Sequence, residues 1–200
     1  MNGQEYENFI YVKIGTGIGA GIISNGHIHR GSTGCEGQIG HISVDPQGPV
    51  CHCGNVGCLE LVAGAPAIAE RAIQFAKENP ESILAELRDE QDGNLSGEDV
   101  GIAAMRGDRY ANKIIQDSGR QIGKILATLV ALLNPDAVLI GGGVSNIGAQ
   151  FLVAIRREVL RLSIPLSTRH LVIDLSPIRS EAGVAGAIAL SLDYVFAVES

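Results

Sequence analysis

Between Glu36 and Glu60 the chain reads EGQIGHISVDPQGPVCHCGNVGCLE, and this stretch constrains the fold more than any other. Cys51, Cys53 and Cys58 stand in a C-x-C-x4-C spacing, and His41 lies ten residues before the first of them. Three thiolates and one imidazole complete a closed tetrahedral shell for Zn²⁺, the arrangement of structural sites. Gly54 and Gly57 lie between the ligands, where a backbone wrapping an ion needs unrestricted φ. The alternatives are ordinary thiols beside a surface histidine, or a disulfide. Close spacing with interleaved glycines favours the metal. Zinc held by His41, Cys51, Cys53 and Cys58 is the expectation.

A chain of 200 residues with 46% hydrophobic content can build one large domain or a compact pair around a real core. Its 26 glycines and lack of tryptophan suit α/β architecture with many tight turns. The net charge of −7 comes without any run of Lys or Arg, so this chain alone has no cation cluster to neutralise nucleic-acid phosphates. No signal peptide precedes the first strand, and no apolar run reaches membrane-spanning length. Thiols reserved for a metal fit a reducing cytoplasm.

Residues 1–8 read as disordered or as a polar linker, and 9–200 as one α/β domain carrying the zinc loop 41–58. FIYVKI, Phe9–Ile14, is an alternating β-branched strand. It enters Gly15-Thr16-Gly17-Ile18-Gly19-Ala20-Gly21, then Ile22-Ile23 and the turn Ser24-Asn25-Gly26. A dinucleotide loop needs G-x-G-x-x-G and a following helix. Here G-x-G-x-G-x-G leads into a second strand with an Asn-Gly hairpin signal. The pattern suits a β-hairpin whose N–H groups clasp phosphate, with a hydroxyl from Thr16, or a hairpin needed only for packing.

Glu60–Phe75 has helical spacing with Pro66 near its start, and Asn79-Pro80 ends it. Glu81–Arg88 is a short amphipathic helix, and Ser96-x-x-Asp99 resembles an N-cap ahead of Val100–Met105. Ala111–Leu133 carries the longest apolar periodicity and predicts a helix packed on a sheet, stopped by Asn134-Pro135. Ala137–Ile140 is a short continuous apolar run, as for a buried parallel strand. Gly141-Gly142-Gly143 follows it, then a helix over Ile147–Leu162, where a ligand can approach the backbone or where a tight βα turn is simply made. Leu171–Leu175 predicts another strand and Glu181–Val195 a closing helix. Cys35 lies outside the ligand set and reads as a small buried apolar residue. His27, His29 and His170 read as surface residues, as do Arg30 and Arg169, and His52 is expected to point outward.

Together these pieces resemble the ROK family, named for its repressors, open reading frames and sugar kinases. The resemblance rests on the glycine pattern from Ile14 to Gly37, Gly40 and His41, on Cys51-x-Cys53-Gly54-x-x-Gly57-Cys58-x-Glu60, on Leu139-Ile140-Gly141-Gly142-Gly143, and on Ala182-Gly183-Val184-Ala185-Gly186-Ala187. It implies an actin-like ATPase fold of two ribonuclease-H-like α/β halves closing on a cleft, with this chain as the C-terminal half. It also implies nucleotide contacts at Gly15, Thr16, Gly17, Gly19, Gly141, Gly142 and Gly143, which makes ATP a candidate ligand. Sugar contacts are implied at position 38, at His41 and at Glu60. His41 would then serve zinc with one ring nitrogen and sugar with the other.

Two departures bear on activity. The family's kinases carry Asp-x-Gly-Gly-Thr and a general-base Asp in an Asn-Asp pair upstream of the first glycine loop, and neither occurs in these 200 residues. Phosphoryl transfer to a sugar hydroxyl needs that base, so no catalytic residue is assigned, and the chain alone is expected to be inactive as a kinase. The family's E-x-G-H motif reads Gln38-Ile39-Gly40-His41 here. Gln38 can accept through its carbonyl and donate through its amide, but it lacks the charge that strengthens carboxylate–hydroxyl bonds. Both departures favour the sugar-sensing domain of a transcriptional regulator, of the xylose-repressor type, that contacts DNA through a segment absent here. Retention of both glycine loops favours the alternative, the C-terminal half of an ATP-dependent, glucokinase-like sugar kinase. The apolar helices Ala111–Leu133 and Glu181–Val195 suggest a homodimer.

Overall fold

The computed structural model describes residues 6–177 and Gly186. The strand Phe9–Ile14 (β1) forms with the predicted bounds, and its alternation buries Ile10, Val12 and Ile14 on one face. A turn at Gly15–Gly17 returns the chain as β2, Ile18–Ser24, antiparallel to β1 with Ile14 opposite Ile18. Asn25 and Gly26 both take positive φ (51° and 76°) and turn β2 into the two-residue β3, His27–Ile28. Paired positive φ is what the type I′ two-residue hairpin turn requires.

After the cysteine loop come five helices. They are α1 (Leu59–Ala63), α2 (Ala65–Glu78), α3 (Ile83–Glu90), α4 (Gly97–Met105) and α5 (Arg109–Leu133). The expected helix over Glu60–Phe75 is thus two. Gly64 ends α1 and begins α2 with φ −73° and ψ 170°, and a β-carbon there would collide with the carbonyl oxygen of Glu60. The break frees the amide of Ala65 to donate to the Gly15 carbonyl at 2.9 Å, which fastens the helical layer to the tip of the β1–β2 hairpin. The Ser96–Asp99 capping box forms at α4 as its spacing predicts. Asn134 terminates α5 in the left-handed conformation (φ 43°).

β4, Ala137–Gly141, is buried at every residue and runs parallel to β1, with Phe9 opposite Ala137. This pairing is locked at its start, where the Asp136 amide donates to the Asn8 carbonyl (2.8 Å) and the Asn8 amide to the Asp136 carboxylate (3.2 Å). A 3-10 turn (Gly143–Ile147) leads to α6, Ala149–Leu162, which starts two residues later than its periodicity suggests because Gly148 takes φ 103°. The short α7 (Pro165–Thr168) then leads to β5, Val172–Leu175, parallel to β4. The sheet order is β3-β2-β1-β4-β5. One apolar cluster joins Ile10, Val12 and Ile14 to Ile114, Ile122 and Leu126 of α5 and to Phe151, Ile155 and Val159 of α6. Long α5 therefore spends its apolar face inside the domain. The expected helix Glu181–Val195 and the Ala182–Ala187 motif lie outside the described residues.

Candidate functional site

The carboxyl ends of the parallel strands β1 and β4 converge on one edge, where α/β sheets commonly hold their ligands. The two glycine segments meet there, since a β-carbon added to Gly15 would stand 4.0 Å from the Gly143 nitrogen. Gly142 makes this approach feasible. It takes φ 91°, and a β-carbon on it would run into the carbonyl of Ile14. Gly17 and Gly19 line the hairpin as expected, with Gly19 facing the Gly37 carbonyl and Gly17 facing Glu60. Thr16 is exposed at the tip. Gly141 closes β4 above the Tyr11 ring, whose hydroxyl is pushed up from its ordinary value by burial.

The cysteine loop is built against this hairpin. The Ala20 amide donates to the Gly37 carbonyl at 2.8 Å, and a 3-10 turn over Ile39–His41 follows. Gln38 caps that turn from an exposed position, its carbonyl accepting from the His41 amide at 3.1 Å. Gly40 lies so close to β2 that a β-carbon would strike the Ile18 carbonyl. The loop returns through bridges pairing Ser43 with Cys58 and Val50 with Val56. A turn closes between the outer cysteines, with the Cys51 amide donating to the Asn55 carbonyl (2.7 Å) and the Gly54 amide to the Cys51 carbonyl (2.9 Å). Cys58 is then the residue immediately before α1, which carries Glu60 in its first turn.

This folding brings His41, Cys51, Cys53 and Cys58 together, with one donor atom from each lying within 4.8 Å of the others. Sγ of Cys53 is 3.6 Å from Sγ of Cys58, and Sγ of Cys51 is 3.6 Å from Nδ1 of His41. On a tetrahedral zinc ion with ordinary bond lengths, neighbouring donors stand about 3.5–3.8 Å apart. Donor chemistry and separations therefore both fit a zinc-type ion, with His41 facing it through Nδ1. All four cysteines are free thiols. Crowding shows in their acidity. Burial first, and then the neighbouring thiols, push Cys58 up to about 12, while the backbone around Asn55 holds Cys53 below its usual range. Bound cations keep such thiolates deprotonated together.

Glu60 bridges the cysteine loop and the glycine edge. Its Oε1 is 3.4 Å from Nδ1 of His41 and 3.6 Å from Sγ of Cys51, and its side chain is 11% exposed. Its Oε2 faces Gly17 and Gly40. The predicted sugar pair His41 and Glu60 is thus adjacent.

Two expectations need correction or extension. Cys35 is exposed, not buried: it sits in the loop after β3, with Gly31 and Gly34 turning at positive φ, and its Sγ reaches only the Thr33 carbonyl at 3.8 Å. His52 does point outward, with 77% of its side chain exposed, yet its Nδ1 lies 3.7 Å from Sγ of Cys51 and 3.8 Å from Oε1 of Glu60. Its ring meets that of His41 edge to face, with centroids 5.1 Å apart. The C-x-C spacing held the signal for this, because the residue between two ligands has little freedom to leave them. His27, His29, His170, Arg30 and Arg169 are exposed as expected.

Comparison with known proteins gives a consistent picture. The ROK family model matches residues 1–194. A glucokinase of Halalkalibacterium halodurans is 37% identical over 185 residues, covering 92% of this chain and 56% of the relative. The DNA-binding transcriptional dual regulator NagC of Escherichia coli is 40% identical over 152 residues, covering 76% of this chain and 36% of the regulator. A solved ROK family glucokinase from Streptomyces griseus, in complex with glucose and AMPPNP, matches with a TM-score of 0.83 at 35% identity, over 94% of this chain and 61% of that one. The chain spans little more than half of the glucokinase relative and about a third of the regulator. No helix among the described residues is long and apolar enough to cross a membrane. With a cysteine–histidine set able to hold a metal beside an actin-like sheet edge, and with a family match over nearly its whole length, the chain belongs to the ROK family.

Proposed function

We propose that this chain is the sugar-sensing, effector-binding domain of a ROK transcriptional regulator of carbohydrate metabolism, working in the cytoplasm. The observation that carries the reading is the adjacency of Glu60 and His41, 3.4 Å apart beside the metal set, with uncharged Gln38 three residues before His41. Glu60 would accept hydrogen bonds from sugar hydroxyls. His41 would turn Nε2 to the sugar, since Nδ1 faces the thiols. Zinc held by His41, Cys51, Cys53 and Cys58 would supply a fixed imidazole orientation, as ligated histidines have. Gln38 would add a neutral acceptor and donor. DNA contact would belong to a segment other than this acidic chain.

A second reading is the C-terminal half of an ATP-dependent, glucokinase-like kinase. The meeting of Gly15 with Gly143 favours it, since a sensor needs no such paired turn, and the S. griseus relative holds AMPPNP. Calorimetric titration separates the two. Glucose, xylose or an N-acetylhexosamine binding without AMPPNP, and lost in Glu60→Ala, supports the sensor. AMPPNP binding alongside sugar supports the kinase half, and sugar binding that survives Glu60→Ala overturns the site.

Self-association belongs to the same proposal. Leu160 near the end of α6, Ile164 just before α7 and Leu166 within it are 54%, 63% and 75% exposed, and Leu132 is 73% exposed near the end of α5. A homodimer would cover part of this surface, and a monomer by light scattering at micromolar concentration would exclude it.

A further inference from the structure

We propose that His52, Glu60, Cys51 and His41 form an alternative coordination set through which the metal ion enters and leaves the cysteine site. One donor atom from each of these four residues lies within 4.8 Å of the others, as in the cysteine-rich set, and the two sets share Cys51 and His41. Cys51 is the pivot. Its Sγ stands 3.6 Å from Nδ1 of His41, 3.7 Å from Nδ1 of His52 and 3.6 Å from Oε1 of Glu60, all within reach of one small cation.

Exposure sets the two ends of a path. His52 is 77% exposed and Cys53 is exposed as well, so each set offers a donor to solvent, whereas Cys58 is fully buried and is reached last. Donor chemistry runs the same way. Imidazole and carboxylate are harder ligands than thiolate, so they take up an aquated ion readily, while thiolates hold the softer Zn²⁺ more firmly. An ion captured by His52, Glu60, Cys51 and His41 moves onto Cys53 and Cys58 as their thiols give up protons to solvent, and it keeps Cys51 and His41 throughout. Glu60 is then released from the ion. The inference rests on the sugar-site reading for one consequence: a sugar hydroxyl bonded to Glu60 removes a donor from the exchange set, so bound sugar slows metal loss.

The test follows zinc release to a chromogenic chelator and zinc uptake by metal-free protein, in wild type and His52→Asn, with and without sugar. Replacement of an exposed histidine leaves the fold alone, and metal content with thermal melting checks this. The expected result is that His52→Asn retains about one zinc per chain but exchanges it several-fold more slowly, with cobalt-substituted spectra unchanged at equilibrium. Exchange at the wild-type rate overturns the proposal. So does loss of zinc from the variant, which would make His52 a resident ligand. Slowing by sugar in wild type supports the coupling through Glu60. A sugar that binds without changing the rate overturns that coupling alone, and protein that takes up no metal overturns this path and the zinc assignment together.

Discussion

Oε2 of Glu60 rests against Gly17, so closely that a β-carbon added to the glycine would stand 3.1 Å from it. The neighbour is the end of a flexible carboxylate, which can swing aside. Gly17→Ala is therefore expected to leave the melting temperature nearly unchanged while weakening sugar binding several-fold, because Glu60 is turned from its place. Gly40→Ala differs, since its β-carbon meets the Ile18 backbone carbonyl, which cannot move without β2. Overpacking of that kind costs about 1–3 kcal/mol. Gly21→Ala, with nothing nearby, should be neutral or slightly stabilising. Urea unfolding of the three variants, beside sugar titration, checks the order.

Removal of metal should leave a protein whose stability falls at high pH. The Cys58 thiol is pushed up to about 12 from 9.0, chiefly by burial, so between those values the folded state binds a proton that the unfolded state has lost. Stability then decreases as pH rises through that window. Cys53, held low, has the opposite slope, but its window lies below 9.0 and does not overlap that of Cys58. With zinc bound the thiols are already deprotonated, so the alkaline loss should disappear. Chelated and zinc-loaded protein melted between pH 8 and 11 would show the two profiles diverge. Parallel profiles would mean that the cysteines do not hold the ion.

Most of this architecture was legible in the sequence because its signals are local. The alternation of Phe9–Ile14, the Ser96–Asp99 box and the periodicity ending at Asn134 each name their own element. The cysteine cluster was legible for the same reason, its loop being short and closed by its own hydrogen bonds. What escaped depends on distant chain. The split at Gly64 follows from the Ala65 amide reaching Gly15, and the approach of Gly15 to Gly143 follows from the parallel pairing of β1 with β4. The exposure of Cys35 also escaped, because a cysteine's type says inside while its loop says outside.

The α5–α6 contact hides a second titrating pair. Glu158 is 5% exposed, its two oxygens accept from Arg161 at 2.7 and 3.0 Å, and this guanidinium holds its carboxyl below the usual range. A depressed carboxyl stabilises the fold above its unfolded value and loses that contribution as pH falls through the folded one. Arg161→Ala leaves the buried acceptor without its donor, a loss of about 1–3 kcal/mol for an unsatisfied group. The Arg161 side chain is 58% exposed, so solvent screening places the result toward the lower end. Urea melts at pH 7 and pH 4 check it: the variant should fall below wild type at pH 7 and converge with it as Glu158 protonates.

Gln38→Glu gives the sharpest test of the sugar site. Gln38 caps the turn that carries His41 and is exposed, so the change of one atom from nitrogen to oxygen has no packing consequence. A charged acceptor strengthens a hydroxyl hydrogen bond by roughly 1 kcal/mol over a neutral one, which is about fivefold in Kd. Against this stands Glu60, whose carboxylate repels a second negative charge, and zinc on three thiolates and an imidazole leaves that site with a net charge of −1, so it does not offset the repulsion. Position 38 is exposed, so solvent screens that repulsion, and zinc-loaded Gln38→Glu is expected to bind sugar a few-fold more tightly than zinc-loaded wild type. Calorimetry on both forms measures the difference. Weaker binding in the zinc-loaded variant would show that position 38 does not face the sugar, and would detach the Gln38–His41 turn from the site.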